Sequence, residues 1–262
     1  MTCSAKIKEL RKQLLEKCDY AINRLEAAKE RVTFASNNKK DTTTSTSSPG
    51  ADKSEGDTTT NTSLEKKSES DTNYEFTDSE IMDSFMELTH GVLIQEWEHF
   101  LYNIFVEGII YYVRGYDLGD ITHKLGLKNL KPTLGIVEMR KSVSAEIERS
   151  HLGYERLFDQ SRKLFKVKVS ELLQEEMNQQ VLIRHIFQHN GGEIRSRDIK
   201  KNGNKAFLIL DNKGKSHPYG KGKEIPLSGP EIRKLYTVIE EYSEAFQIQA
   251  EKTQHITSTL SH

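Results

Sequence analysis

At 262 residues, 35% apolar and 29% charged, the chain is long enough for one full-sized domain with appendages. A formal charge of -1 argues against a globally basic nucleic-acid binder, so any such site must be a local patch. Cys3 and Cys18 have neither metal-ligand spacing nor a disulfide framework, no apolar signal core opens the chain, and the longest apolar stretch, around Ile109–Val113, is too short to span a bilayer. The expectation is a cytoplasmic chain that does not enter a membrane.

In chain order, residues 5–34 predict one helix. Ile7, Leu10, Leu14, Cys18, Ala21, Leu25, Ala28 and Val32 recur at alternate spacings of three and four, as on one face of a bundle helix. Residues 37–72 hold Ser or Thr at 16 of 36 positions, with Leu64 the sole large aliphatic, a composition expected of a disordered linker. Thr77-Asp-Ser-Glu80 fits a capping box. Phe85, Leu88, Val92, Trp97, Leu101, Ile104, Phe105 and Ile109 then predict the central, most buried helix, ending near Arg114 with Trp97 in the core. A helical stretch over 136–165, marked by Val137, Val143, Ile147, Leu157 and Phe158, is interrupted near His151-Leu-Gly153.

Residues 167–189 predict a helix stopped by Asn190-Gly191-Gly192. Beyond it, Ala206–Leu210 and Glu224–Leu227 are expected to pair as a hairpin around Asp211-Asn-Lys-Gly214. Ser228-Gly-Pro-Glu231 opens a last helix with the stripe Ile232, Leu235, Ile239, Tyr242 and Phe246. The sum is an all-α antiparallel helical bundle with a short β-hairpin before the last helix. Its divisions are an N-terminal helix over 1–36, a linker over 37–73, the helical domain over 74–252 and a flexible tail over 253–262.

The last turns of the helix before the Gly-Gly stop carry Arg184, His185 and His189 among Ile183, Ile186 and Phe187. His185 and His189 are four apart and share a face; Arg184 lies roughly 140° around the axis from His189, within reach of its long stem. Two histidines at this spacing can chelate zinc, but Ile186 stands where a metalloprotease has its glutamate, and no third ligand is marked out. A histidine near a helix C-terminus is also favoured simply by the macrodipole. The third chemistry is phosphate transfer. Cutting RNA without a metal needs groups to take the 2′-hydroxyl proton and to protonate the leaving oxygen, which suits histidine, and a fixed cation for the phosphorane, which suits arginine.

Arg184-His185-Ile186-Phe187-Gln188-His189, with four residues between Arg and His, resembles the signature of the HEPN superfamily. Asn190-Gly191-Gly192, EIRSRDIKKNG at 193–203 and GKEIPLSGPEIRKLYTVIEEYSEAF at 222–246 extend the likeness, most of all to stand-alone prokaryotic HEPN proteins of the RiboL-PSP-like kind. The likeness spans about 77–250, with helix 5–34 in the place of the family's first helix. It implies a HEPN-like helical bundle acting as a metal-independent endoribonuclease, a toxin or defence effector needing no cofactor. Arg184 would contact the scissile phosphate, His189 would be the acid/base, and His185 and Asn190 would support the site. The resemblance further implies RNA as substrate, a C2 homodimer and an antitoxin or regulatory protein as partner. Its alternative is a HEPN module without catalysis that binds nucleotide, RNA or protein. The Ser/Thr-rich insertion departs from the family and brings domain swapping or partner regulation into play.

The charge distribution agrees with a local patch. Residues 193–223 hold nine Lys or Arg, namely Arg195, Arg197, Lys200, Lys201, Lys205, Lys213, Lys215, Lys221 and Lys223, against Glu193, Asp198 and Asp211, a balance of nine minus three, or +6. Arg195, Arg197, Lys200 and Lys201 are the expected RNA-binding residues. His217 and Tyr219 are candidates to stack on bases. Glu96 and Glu98, flanking Trp97, are expected to face the motif and orient Arg184 by ion pairing.

Overall fold

The computed structural model describes residues 2–42, 77–119, 130–131 and 133–259, and the side chains of these except at 36–42 and 253–259. The order is α1 (Cys3–Thr42), α2 (Asp78–Val113), α3 (Ile136–Arg149), α4 (Tyr154–Leu164), α5 (Glu171–Asn190), α6 (Ser196–Lys201), β1 (Phe207–Leu210), β2 (Ser216–Tyr219) and α7 (Gly229–Thr259). This is the expected all-α architecture with one small two-stranded sheet. No described helix is long and apolar enough to cross a membrane.

The α1 stripe forms as its spacing dictates. Ile7, Leu10, Leu14, Cys18, Ala21, Leu25 and Ala28 are buried against α2 and α7, and Val32 is half-buried. The α1 backbone continues to Thr42, past the predicted linker start at 37; the rest of that linker lies outside the described residues. At the other end of the chain, the α7 backbone runs on to Thr259, beyond the predicted domain end at 252.

α2 is the central helix, packing on α1, α3, α4, α5 and α7. Thr77 and Glu80 close the predicted capping box, Glu80 N–H donating to Thr77 Oγ1 (3.3 Å) and Thr77 N–H to Glu80 Oε2 (2.7 Å). Trp97 is fully buried, stacked on Phe100 and tilted against Tyr242, and its indole Nε1–H donates to the Tyr154 hydroxyl at 3.0 Å. The expected stripe is wrong at its N-terminal end. Phe85 and Leu88 are 36% and 63% exposed, and Met86, Leu93 and Ile94 take the inward positions. Both faces are apolar in this part of α2, so spacing alone selects the wrong one. The α3–α4 interruption falls where expected, although Val137 is exposed at the first turn of α3.

The predicted hairpin has the right first strand and turn but the wrong second strand. β1 pairs antiparallel with β2, Phe207 opposite Tyr219 and Leu210 opposite Ser216. Asp211 closes the turn: its carboxylate accepts from the Lys213 and Lys215 N–H groups at 2.8 Å each, and Gly214 takes φ 76°. So tight a turn hands the next residues to β1. Glu224 and Ile225 instead meet the segment after the Gly-Gly stop, where Glu224 bridges Glu193 and Ile225 N–H donates to Gly192 O at 3.1 Å.

That second pairing builds a small separate core from Ile183, Ile186, Ile194, Phe207, Ile209 and Ile225. It clamps the C-terminal half of α5 by its inward face; Gln188 and His189 are exposed and His185 half-buried on the other side, while Arg184 is largely covered.

Candidate functional site

The end of α5 is fixed by the two glycines. Gly191 takes φ 58° and Gly192 φ 88°, with the Gly191 N–H donating to Phe187 O and the Gly192 N–H to Ile186 O. At Gly192 a Cβ would meet the Phe187 ring at 3.0 Å, so close approach as well as backbone conformation requires glycine there.

The expected residues lie together at this end. The imidazoles of His185 and His189 face each other with ring centroids 4.4 Å apart and planes inclined at 56°. Arg184 is largely covered, with 19% of its side chain exposed, and its Nη1–H donates to Glu98 Oε2 at 2.7 Å. Glu98 is therefore the carboxylate on α2 that holds Arg184. Glu96 is turned away to Lys17, also at 2.7 Å. Arg184 Nε is buried with no hydrogen-bond partner among the described residues.

Arg184 and Gln188 form the wall between two clefts. One, of about 500 Å³, is lined by Glu98, Tyr154, Arg156, His185 and Lys201 among others. The other, of about 370 Å³, lies between α2 and α5. His189 is exposed beyond His185 at the helix end and lines neither.

Partial burial, the positive charges of Lys201 and Arg197, and the neighbouring His189 all push the His185 pKa below its ordinary 6.5, while Asp198 opposes them. His185 is therefore a neutral imidazole at neutral pH, able to accept a proton.

Asn190 does not face the clefts. Its Nδ2 donates to Asp198 Oδ2 (3.2 Å) and its Oδ1 accepts from Arg197 Nη2 (2.9 Å), so it ties α5 to α6. Asp198 is fully buried and also accepts the Arg195 N–H at 2.8 Å. Of the expected RNA-binding residues, Arg197 is thus engaged in this network. Arg195, Lys200 and Lys201 are exposed and form no ion pair among the described residues, and Lys201 alone lines the larger cleft. His217 is bonded to Asp211 Oδ2 (2.9 Å) and Tyr219 packs on the small core. Among the described residues, no group of three or more His, Cys, Asp or Glu is gathered to hold a metal ion.

Sequence reasoning missed a buried polar chain behind the site. His90 Nε2 pairs with Gln180 Oε1 (2.9 Å), Gln180 Nε2 donates to Glu231 Oε1 (2.5 Å), and Glu231 Oε2 accepts the Leu210 N–H (2.7 Å). The i, i+4 relation of Gln180 to Arg184 is the sequence signal that places this chain on the motif helix. Burial first, and then the Arg184 charge against the opposing Gln180 hydrogen bond, lowers the His90 pKa to about 4. Between about pH 4 and 6.5 the unfolded chain binds a proton that the folded chain refuses, so stability falls as pH drops through this window. The loss expected from His90 is roughly 3 kcal/mol by pH 4, at about 1.4 kcal/mol per pKa unit. Urea unfolding of wild type and His90→Gln at pH 7 and pH 4 checks it: the glutamine variant should lose that much less.

No protein-family model, no curated protein and no solved structure matches the chain.

Proposed function

We propose that the chain is a metal-independent endoribonuclease of the HEPN kind, acting as a toxin or defence effector, with Arg184 on the scissile phosphate and His189, backed by His185, moving the protons. One observation carries the reading: a largely covered guanidinium and a facing pair of imidazoles share the end of one helix, beside an open cleft that Lys201 also lines. In the reaction, a histidine takes the 2′-hydroxyl proton and the O2′–P bond forms. The P–O5′ bond then breaks, and the 5′ oxygen leaves with a proton. The products are a 2′,3′-cyclic phosphate and a 5′-hydroxyl. The guanidinium offers planar, permanently charged donors to the phosphorane oxygens. The exposed bases after the motif attract the rest of the RNA backbone. A C2 homodimer and a regulatory antitoxin are part of the same proposal, and both rest on the resemblance.

The Arg184–Glu98 ion pair favours one second reading, binding without cleavage, because a carboxylate already engages the cation that a phosphate needs. The experiment is incubation of diverse RNAs with purified protein in EDTA. Cleavage by wild type to 2′,3′-cyclic ends, lost in His189→Ala, is the expected result. Equal cleavage by the two proteins, or none by either, would overturn the nuclease reading. RNA affinity that survives without any cleavage would leave the binding module.

A further inference from the structure

We propose that the cleft between α2 and α5 is a nucleoside subsite, receiving the base on one side of the phosphate held by Arg184. This rests on the assignment of a phosphodiester to Arg184, and it adds where the neighbouring nucleotide goes. Three observations converge. First, Arg184 and Gln188 are the wall common to both clefts, so a phosphate on the guanidinium has a cavity on either side, as a strand crossing a saddle requires.

Second, the two clefts differ in character. The larger carries Arg156, His185 and Lys201 and suits the continuing charged backbone. The smaller, at about 370 Å³, is within the size of ordinary ligand pockets. Phe187, Leu88 and Val92 give it apolar surface for the face of a ring, while Gln95 and Gln188 bring amides for a base edge. Leu88 is 63% exposed, although it lies on the most apolar helix of the chain.

Third, Gly91 sits in the middle of α2, where glycine is unfavourable relative to alanine, and it lines this cleft. A Cβ placed on Gly91 meets nothing within 4 Å, so no packing inside the chain calls for glycine. Its missing side chain leaves the cleft wall open to something from outside. A base adjoining the phosphate on Arg184 is the occupant whose chemistry fits both walls.

The test uses the His189→Ala chain in EDTA, so that binding is read without cleavage. The probes are a fluorescein-labelled single-stranded RNA hexamer and hexamers with one abasic position. Adding Gly91→Phe, which carries a ring into the cleft from a Cβ position that meets nothing within 4 Å, should weaken hexamer binding about tenfold or more. Leu88→Ser, at an exposed position, should weaken it in the same direction and decides the matter if Gly91→Phe loses its helical signal. Gly91→Ala, which puts only a methyl into the cleft, should weaken binding in the same direction but by less than Gly91→Phe. One abasic hexamer should bind the parent weakly and be indifferent to Gly91→Phe.

Hexamer binding unchanged in both Gly91→Phe and Leu88→Ser overturns the subsite; if wild type still cuts RNA, the nuclease reading stands without it. No hexamer binding by the parent sinks the subsite, and cleavage by wild type then decides the nuclease reading separately. A dimer that Gly91→Phe converts to monomer with RNA affinity intact assigns the cleft to a second copy of the chain and overturns the proposal.

Discussion

Arg184→Ala is expected to lower the RNA-cleavage rate by about 10²- to 10³-fold, the range for removing one preorganised donor to a developing oxyanion. Arg184→Lys should recover little, because an ammonium does not reproduce the planar fork. The ion pair adds a sharper expectation. Glu98 Oε2, 2.7 Å from Nη1, both orients the guanidinium and repels an incoming phosphate. Glu98→Gln should therefore lower KM, as the repulsion goes, and lower kcat as well, as the guanidinium loses its fixed angle. A merely structural carboxylate would not split the two constants in this way. Single-turnover and steady-state cleavage of one RNA by the four proteins, with far-ultraviolet circular dichroism as the fold check, gives the answer. Cleavage by Arg184→Ala within a few fold of wild type would sink the assignment of Arg184 to the phosphate.

Much of this architecture can be read before any coordinates, for a physical reason. The helices of a bundle bury one stripe each, and α1 and α7 carry a single apolar stripe apiece. Their periodicity therefore names the buried residues, from Ile7 to Ala28 and from Ile232 to Phe246. α2 has apolar residues all round. Periodicity then loses its contrast, and it points Phe85 and Leu88 inward although they are exposed. The hairpin fails differently. Local turn chemistry at Asp211 and Gly214 decides the partner of β1, and the more hydrophobic Ile225 segment is drawn to the chain beside Gly192.

At the site, what lies close together in sequence is legible: Arg184, His185, His189 and the glycine stop. Glu96 and Glu98 both flank the central Trp97 in the sequence, and packing decides that Glu98 alone meets Arg184. The residues that could not be read are those whose role comes from tertiary burial. His90 and Gln180 look like surface polar residues until α2, α5 and α7 close over them. Asp198 counts in the sequence only as a subtraction from a basic stretch, yet it is the most buried charge of that stretch. Arg197, counted there as a free cation, donates to Asn190 Oδ1.

Asp198 supports the last expectation. Its Oδ2 is shared by the Arg195 N–H and Asn190 Nδ2, while Arg197 Nε stands 3.7 Å from Oδ1, too far for a hydrogen bond. Asp198→Ala leaves two part-buried donors without an acceptor and should cost about 1 kcal/mol for each one stranded, seen as a lower urea midpoint. Asp198→Asn is the more informative change, since it keeps the shape and one oxygen but deletes the charge. Asp198 is the group that raises the His185 pKa against burial, Lys201, His189 and Arg197. Its neutralisation must move the His185 titration midpoint further down, which ring-proton NMR measures directly. The sign carries through to stability. The folded chain already resists protonating His185 more than the unfolded chain does, so stability is lost as pH falls through about 6.5, and a wider gap enlarges that loss. A His185 midpoint that rises in Asp198→Asn would mean that the carboxylate acts on the imidazole only through the packing of α6, and the electrostatic link between the buried hub and the histidine pair would fall.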